Sequence, residues 1–162
     1  MPDDRWASYE RTVVEILLSA GGSLTVRSAR DRHAARWPWP TGQAVHILTA
    51  WDPGPERPGR DSNRVRQAAL ESYLARLALP LLATVGVDPA TGRREEGVAV
   101  IALPESDALA LGARYGQEAI FAWTPGAWTI VGCNGGRRLA SGWSLVVPQP
   151  GFHFSPATDA PI

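Results

Sequence analysis

Hydrophobic residues recur at two spacings along this chain, one typical of helices and one of strands. The first segment predicts an amphipathic helix over residues 6–19, because its apolar positions fall on one helical face: Tyr9, Val13, Ile16 and Leu17. Gly21 and Gly22 follow where a helix would end. A short strand is predicted at residues 24–27, and the run Trp37-Pro38-Trp39-Pro40 then predicts a loop that lies over the body of the protein.

The middle of the chain predicts the order β-α-β-β-α-β. Strands are predicted at residues 44–51, 81–87, 97–103 and 118–124, and helices at 63–78 and 105–115. This order predicts an α+β fold: a ferredoxin-like split β-α-β antiparallel sheet with both helices on one face. The N-terminal helix and extra C-terminal strands at 128–132 and 143–147 would be additions to that sheet.

Length and composition predict one globular domain. A chain of 162 residues with 44% hydrophobic content is long enough to bury a core, so residues 1–147 are predicted to form a single domain. The Pro-rich residues 148–162 are predicted to be a loosely ordered tail. The single cysteine, Cys133, cannot form an internal disulfide, so we expect it to be redox-silent and the protein to reside in a reducing compartment.

Charge and hydropathy narrow the classes of partner. The formal net charge is zero, which makes nucleic acid an unfavoured partner. No apolar run reaches the length of a membrane span and the first residues are acidic, so a cytoplasmic protein without membrane contact is expected. The histidines are scattered and lack partners at metal-site spacing, so no metal is predicted: they are His33, His46 and His153. No pattern identifies a cofactor, which remains unknown.

The predicted topology gathers polar turn residues at one end of the sheet, called here the predicted rim. It would contain the end of the first strand at Asp52, the start of the following helix at Asn63, the hairpin with Asp88, Glu95 and Glu96, and the junction 115–117. The apolar stripe of that helix, extended toward its start, reaches Gln67, Arg66 and Asn63. The alternative is that these side chains only cap turns and satisfy backbone groups.

Four sequence segments resemble a bacterial family catalogued as domain of unknown function 3293. They are His46-Ile-Leu-Thr-Ala-Trp-Asp-Pro-Gly, Asn63 with Arg66-Gln67 and Glu71, Glu95-Glu96, and Tyr115-Gly-Gln-Glu-Ala-Ile-Phe121. Relative to the family pattern, Asp52 stands where Asn is common and Gly97 where Pro is usual. The resemblance implies a shared fold and a shared set of rim residues. It implies no known reaction.

Two classes of function remain open from the sequence. In the first, the rim holds a small polar or anionic ligand, and the domain is either an enzyme or a binding domain. Asp52 and Glu96 are then the acid/base candidates, and the ligand-binding candidates are Asn63, Arg66, Gln67, Tyr115 and Gln117. Asp88 and Glu95 are expected to be merely solvated. In the second class, the rim is structural and the Trp-rich loop or a sheet edge meets a protein partner.

Overall fold

The computed structural model describes residues 4–30, 36–53 and 57–146. Within these residues there are three helices and eight strands. The helices are α1 (Asp4–Arg11), α2 (Arg60–Ala75) and α3 (Glu105–Arg114). The strands are β1 (Val13–Leu17), β2 (Ser23–Ala29), β3 (Val45–Leu48), β4 (Leu81–Asp88), β5 (Arg93–Ile101), β6 (Ala119–Trp123), β7 (Trp128–Gly132) and β8 (Arg138–Leu145). The predicted tail, His33 and His153 lie outside the described residues.

All eight strands pair antiparallel in one closed barrel with the order β1-β2-β8-β7-β6-β3-β5-β4. The ferredoxin-like split β-α-β fold predicted from the sequence is therefore wrong. The four middle strands do stand side by side as β6-β3-β5-β4, but neither end of this group is an edge. β6 continues into β7, and β4 pairs with β1, so the unpaired backbone groups of both edges are satisfied by barrel closure.

The predicted N-terminal helix of residues 6–19 is correct only in its first half. The helix ends at Arg11, and the next residues form β1, in which Val14 and Ile16 point into the barrel with at most 1% of their surface exposed. Val13, Ile16 and Leu17 fit helical spacing, yet the β-branched residues and the alternating burial belong to a strand. β1 closes the barrel by pairing with both β2 and β4. Because these residues were predicted as helix, the sequence did not predict a barrel.

Two apolar cores lie on opposite sides of the barrel wall. The inner core is closed at one end by tryptophan rings, where Trp123 lies 5.0 Å from Trp37 and 5.2 Å from Trp143, measured between ring centroids. The outer core joins Leu70 and Leu74 of α2 and Leu111 of α3 to wall residues. Both helices thus cover the same outer part of the barrel. No helix among the described residues is long and apolar enough to cross a membrane.

Candidate functional site

A cavity of about 140 Å³ lies at the end of the barrel opposite the tryptophan cluster, and we call it the mouth cavity. Its floor is apolar, built from inward-facing residues Val14, Ile47, Phe121 and Ile130. The helix α1 lies beside the opening and contributes Arg5, Ser8 and Tyr9 to the lining. The strands and their connections contribute the other polar lining residues: Thr12, Thr49, Asp52, Arg57, Thr84, Asp88, Arg93, Glu95, Gln117 and Glu118.

Two carboxylates share one guanidinium at this opening. Nη2 of Arg93 donates to Oδ2 of Asp52 at 2.7 Å and lies 2.7 Å from Oε1 of Glu95. Burial raises the pKa of Glu95, and the neighbouring Asp52 carboxylate adds to this effect while Arg93 opposes it. Glu95 therefore has the character of a group that can gain a proton closer to neutral pH than an ordinary glutamate.

Tyr9 places a phenol ring and its hydroxyl in the lining. The ring packs edge-on against Phe121 with a centroid separation of 6.4 Å, and against Trp6 at 5.9 Å. Burial, together with the negative charge of Glu118, raises the pKa of Tyr9 to about 12. Its hydroxyl has no hydrogen-bond partner within the described part of the chain, so it can donate to or accept from a bound molecule.

The helix α1 is tied to the barrel by ion pairs. Asp88, with 5% of its surface exposed, accepts hydrogen bonds from Ser8 at 2.7 Å and from Arg11 at 2.9 and 3.2 Å. These bonds, with Arg11 contributing most, hold the pKa of Asp88 well below its usual range. Arg5 donates to Glu118 at 3.1 Å. The position of Tyr9 beside the cavity therefore depends on these contacts.

Three predicted ligand-binding side chains of α2 instead hold the backbone of residues 50–52. Asn63 accepts from the Asp52 N–H and donates to its carboxylate, both at 2.9 Å. Gln67 accepts from the Ala50 N–H at 2.9 Å. Arg66 donates to the Ala50 carbonyl at 3.1 Å and to the Tyr115 carbonyl at 2.6 Å. These three residues, called here the α2 polar cluster, satisfy buried and part-buried backbone groups and do not line the cavity.

Of the predicted site residues, Asp52 and Gln117 line the mouth cavity. Gln117 is 8% exposed and its Nε2 donates to the Trp51 carbonyl at 2.8 Å, which leaves Oε1 without a partner among the described residues. The ring of Tyr115 packs against the outer core. Glu96 is exposed, and its neighbour Glu95 lines the cavity in its place, because successive side chains of a strand point to opposite faces.

Asp52 and Gly97, the two departures from the family pattern, both suit the local backbone geometry. Asp52 has φ 44°, in the left-handed region. Asn and Asp both tolerate this region better than most residues, so either residue can occupy the position. At Gly97, an added Cβ would lie 2.8 Å from the Leu48 carbonyl oxygen and 2.7 Å from Oγ1 of Thr84. Glycine therefore permits the close approach of β3 and β5 beside the cavity.

The remaining titratable candidates lie apart from the cavity lining. His46 is buried on the outer side of the wall, where burial lowers its pKa, and its Nε2 lies 4.0 Å from Oε2 of Glu105. Burial raises the pKa of Cys133 to about 11. In the described residues, no group of three or more His, Cys, Asp or Glu side chains is placed to hold a metal ion.

Comparison with known proteins agrees with the resemblance seen in the sequence. Residues 48–120 match the model of a family described as "Protein of unknown function (DUF3293)", which confirms the resemblance over this segment. No curated protein and no solved structure matches the chain. The matched segment runs from the end of β3 into β6 and contains Asp52, the α2 polar cluster, Glu95 and Gln117. It does not include α1.

Proposed function

We propose that the mouth cavity binds a small polar ligand that has an apolar body. The observation that carries this proposal is a set of polar atoms without partners around an apolar floor. Oε1 of Gln117 and Oγ1 of Thr84 belong to side chains that are 8% and 3% exposed, and neither atom has a partner among the described residues. Both residues line the cavity, so these atoms are available to a bound molecule that completes their hydrogen bonds.

The location also supports ligand binding. The mouths of β-barrels are common sites for small molecules, with an apolar lining and a few polar groups that fix orientation. Here Val14, Ile47 and Phe121 form the apolar part, and the tryptophan cluster fills the opposite end of the barrel. The ligand would therefore enter beside α1.

Catalysis is a second candidate role for the same cavity, and Glu95 favours it. The sequence suggested Asp52 and Glu96 as acid and base. In the structure, Asp52 has both carboxylate oxygens engaged, by Asn63 and Arg93, and Glu96 is exposed. Glu95 lines the cavity and its raised pKa suits proton transfer, so any acid/base chemistry would fall to this residue.

A protein-interaction module receives less support. Trp37 and Trp39 would be its aromatic anchors, but their rings pack onto Trp123 within the inner core, with centroid distances of 5.0 and 6.0 Å. Packing of these rings therefore stabilises the barrel.

We also propose that the protein resides in the cytoplasm, because the free thiol of Cys133 suits a reducing compartment.

The test is a fragment screen read by amide NMR shifts. Binding in the mouth cavity should shift the amides of Gly86, Gly97 and Gly116, which line it, and leave those of Gly21 and Gly135 unchanged. Fragments that shift none of the three lining glycines, across a library of a few hundred small polar compounds, would contradict the proposal.

A cavity-filling variant supplies the matched control. An added Cβ at Gly86 would lie 3.5 Å from Cγ2 of Thr12, an ordinary contact, so Gly86→Leu would project into the cavity without forcing the backbone. Gly42 has open space around it, so Gly42→Leu adds the same side chain elsewhere. Binding should be lost in Gly86→Leu and kept in Gly42→Leu. Equal binding by both variants would place the ligand outside the cavity.

A further inference from the structure

The charges and hydrogen-bonding atoms of the mouth cavity indicate which head group its ligand carries. We propose that this head group is a protonated amine, and that Glu95 and Gln117 accept its N–H hydrogen bonds. This inference rests on the proposed binding role of the cavity and narrows the class of ligand.

The first argument is charge balance. Glu118 is matched by Arg5 and Asp88 by Arg11, whereas Asp52 and Glu95 share the single guanidinium of Arg93. One negative charge is thus in excess among these pairs. Arg57 also lines the opening and acts on Glu95, but its side chain is exposed and it forms no ion pair with Asp52 or Glu95 among the described residues, so it offsets this excess only in part. A cation bound beside Glu95 would neutralise the excess charge.

The second argument is the balance of donors and acceptors. Nε2 of Gln117 is already bound to the Trp51 carbonyl, so the atom it can offer to the cavity is an acceptor, Oε1. Glu95 has one oxygen toward Arg93 and a second that can accept. An ammonium group brings three donors and no acceptor, and so matches this set. The hydroxyls of Tyr9 and Thr84 can accept as well.

The third argument is the aromatic part of the lining. Tyr9 and Phe121 lie edge-on to each other at a centroid distance of 6.4 Å, and both line the cavity. Aromatic rings attract cations through their negative faces and pack well against an apolar body. A carboxylate head group beside Glu95 and Oε1 of Gln117 would instead meet a negative charge and an acceptor, and both would repel it. These observations favour an amine over an acid.

The test compares three probes that share one body: 2-phenylethylamine, 2-phenylethanol and 3-phenylpropionate. Affinities are measured by isothermal titration calorimetry at pH 7.5 on the whole chain. We expect the amine to bind about tenfold or more tightly than the other two probes, the size of effect that a charge-assisted hydrogen bond produces. Glu95→Gln should remove this preference by lowering the affinity for the amine to about that for the alcohol.

Two variants serve as controls. Glu10→Gln removes the same charge from an exposed residue of α1 that does not line the cavity, and should keep the preference for the amine. Gly86→Leu should abolish binding of the amine if it occupies the cavity. Circular dichroism melting of each variant establishes that it is folded.

Each outcome decides between the two proposals. Equal or tighter binding of the carboxylate or the alcohol contradicts the amine inference and leaves the proposed binding role intact. An amine preference that survives Glu95→Gln, or amine binding that survives Gly86→Leu, also overturns the inference. Absence of binding by all three probes contradicts the amine inference. If the fragment screen also shifts none of the lining glycines, the proposed function itself is contradicted.

Discussion

Asp52 and Asn63 are joined by two reciprocal hydrogen bonds. The Asp52 N–H donates to Oδ1 of Asn63, and Nδ2 of Asn63 donates to Oδ1 of Asp52, each at 2.9 Å. The other carboxylate oxygen of Asp52 accepts from Arg93, whose guanidinium also contacts Glu95. A continuous set of contacts therefore links the first turn of α2 to the mouth cavity, and Asp52 and Arg93 act as positioning residues for Glu95.

Asn63→Ala should destabilise the protein. Asn63 is 2% exposed, and its loss removes both of its part-buried hydrogen bonds to Asp52, which costs about 1–3 kcal/mol in the free energy of unfolding. Thermal denaturation should show a fall of several degrees in Tm. Ser62→Ala changes an exposed neighbour on the same helix and should change stability by less than about 0.5 kcal/mol. Equal Tm values for the two variants would contradict a structural role for Asn63.

Asp88→Asn should loosen α1. The change keeps the size of the side chain but removes the charge that binds Ser8 and Arg11, so amides of residues 4–11 should exchange with deuterium faster than in the wild type. Because the pKa of Asp88 is lowered in the folded state, its contribution to stability is present above the ordinary aspartate pKa and is lost as the pH falls through the folded value. Asp107→Asn, on an exposed position of α3, is the control. Unchanged exchange in α1 would refute this anchoring.

Amine binding should depend on pH through Glu95. Only the ionised carboxylate pairs with a cation, and the pKa of Glu95 is raised, so affinity should begin to fall at a higher pH than an ordinary glutamate would give. The charged or titratable groups that face Glu95 are Tyr9, Asp52, Arg57 and Arg93.

Variants of Glu95 and Glu96 test which of these two glutamates titrates at the cavity. The structure places Glu95 in the lining, whereas the sequence analysis named Glu96. The affinity for 2-phenylethylamine, measured by calorimetry between pH 4 and 8, should fall toward acid pH in the wild type. This fall should be absent in Glu95→Gln. The decline should persist in Glu96→Gln, because that side chain lies on the outer face of β5. The opposite assignment, with the decline removed by Glu96→Gln, would support the role that the sequence suggested for Glu96.

Cys133 should react slowly with thiol reagents in the folded protein. Burial raises its pKa from 9.0 to about 11, so the thiolate fraction at pH 8 is lowered about a hundredfold. Labelling with a disulfide reagent should therefore be slow in buffer and become fast in denaturing urea. Labelling in buffer at the rate of the unfolded chain would show that the thiol is not shielded.

The sequence predicted most strands and the gathering of polar residues, because these depend on local patterns. The strand-turn-helix from β3 to α2 and the helix α3 follow from apolar spacing and from turn residues near Asp52 and Pro104. The convergence of Asp52, Asn63 and Gln117 followed from the order of the middle strands, which the barrel retains as four neighbouring strands.

Barrel closure could not be predicted from such patterns, because it depends on pairings distant in sequence. Val13 pairs with Val87, and Val26 pairs with Leu145. The helix predicted over residues 6–19 includes β1 and therefore gives Tyr9 no position near β5. The choice between Glu95 and Glu96 also required the strand register: small Gly97 and Ala99 face inward with Glu95, while larger Val98 and Val100 pack in the outer core. This size alternation was the available signal.

The most direct measurement is a crystal structure of the protein soaked with 2-phenylethylamine. We predict electron density in the mouth cavity, with the phenyl ring on the floor near Phe121 and the nitrogen within hydrogen-bond distance of a Glu95 carboxylate oxygen and of Oε1 of Gln117. An empty mouth cavity in crystals that hold the amine at another site, or a cavity filled by protein side chains, would contradict the account.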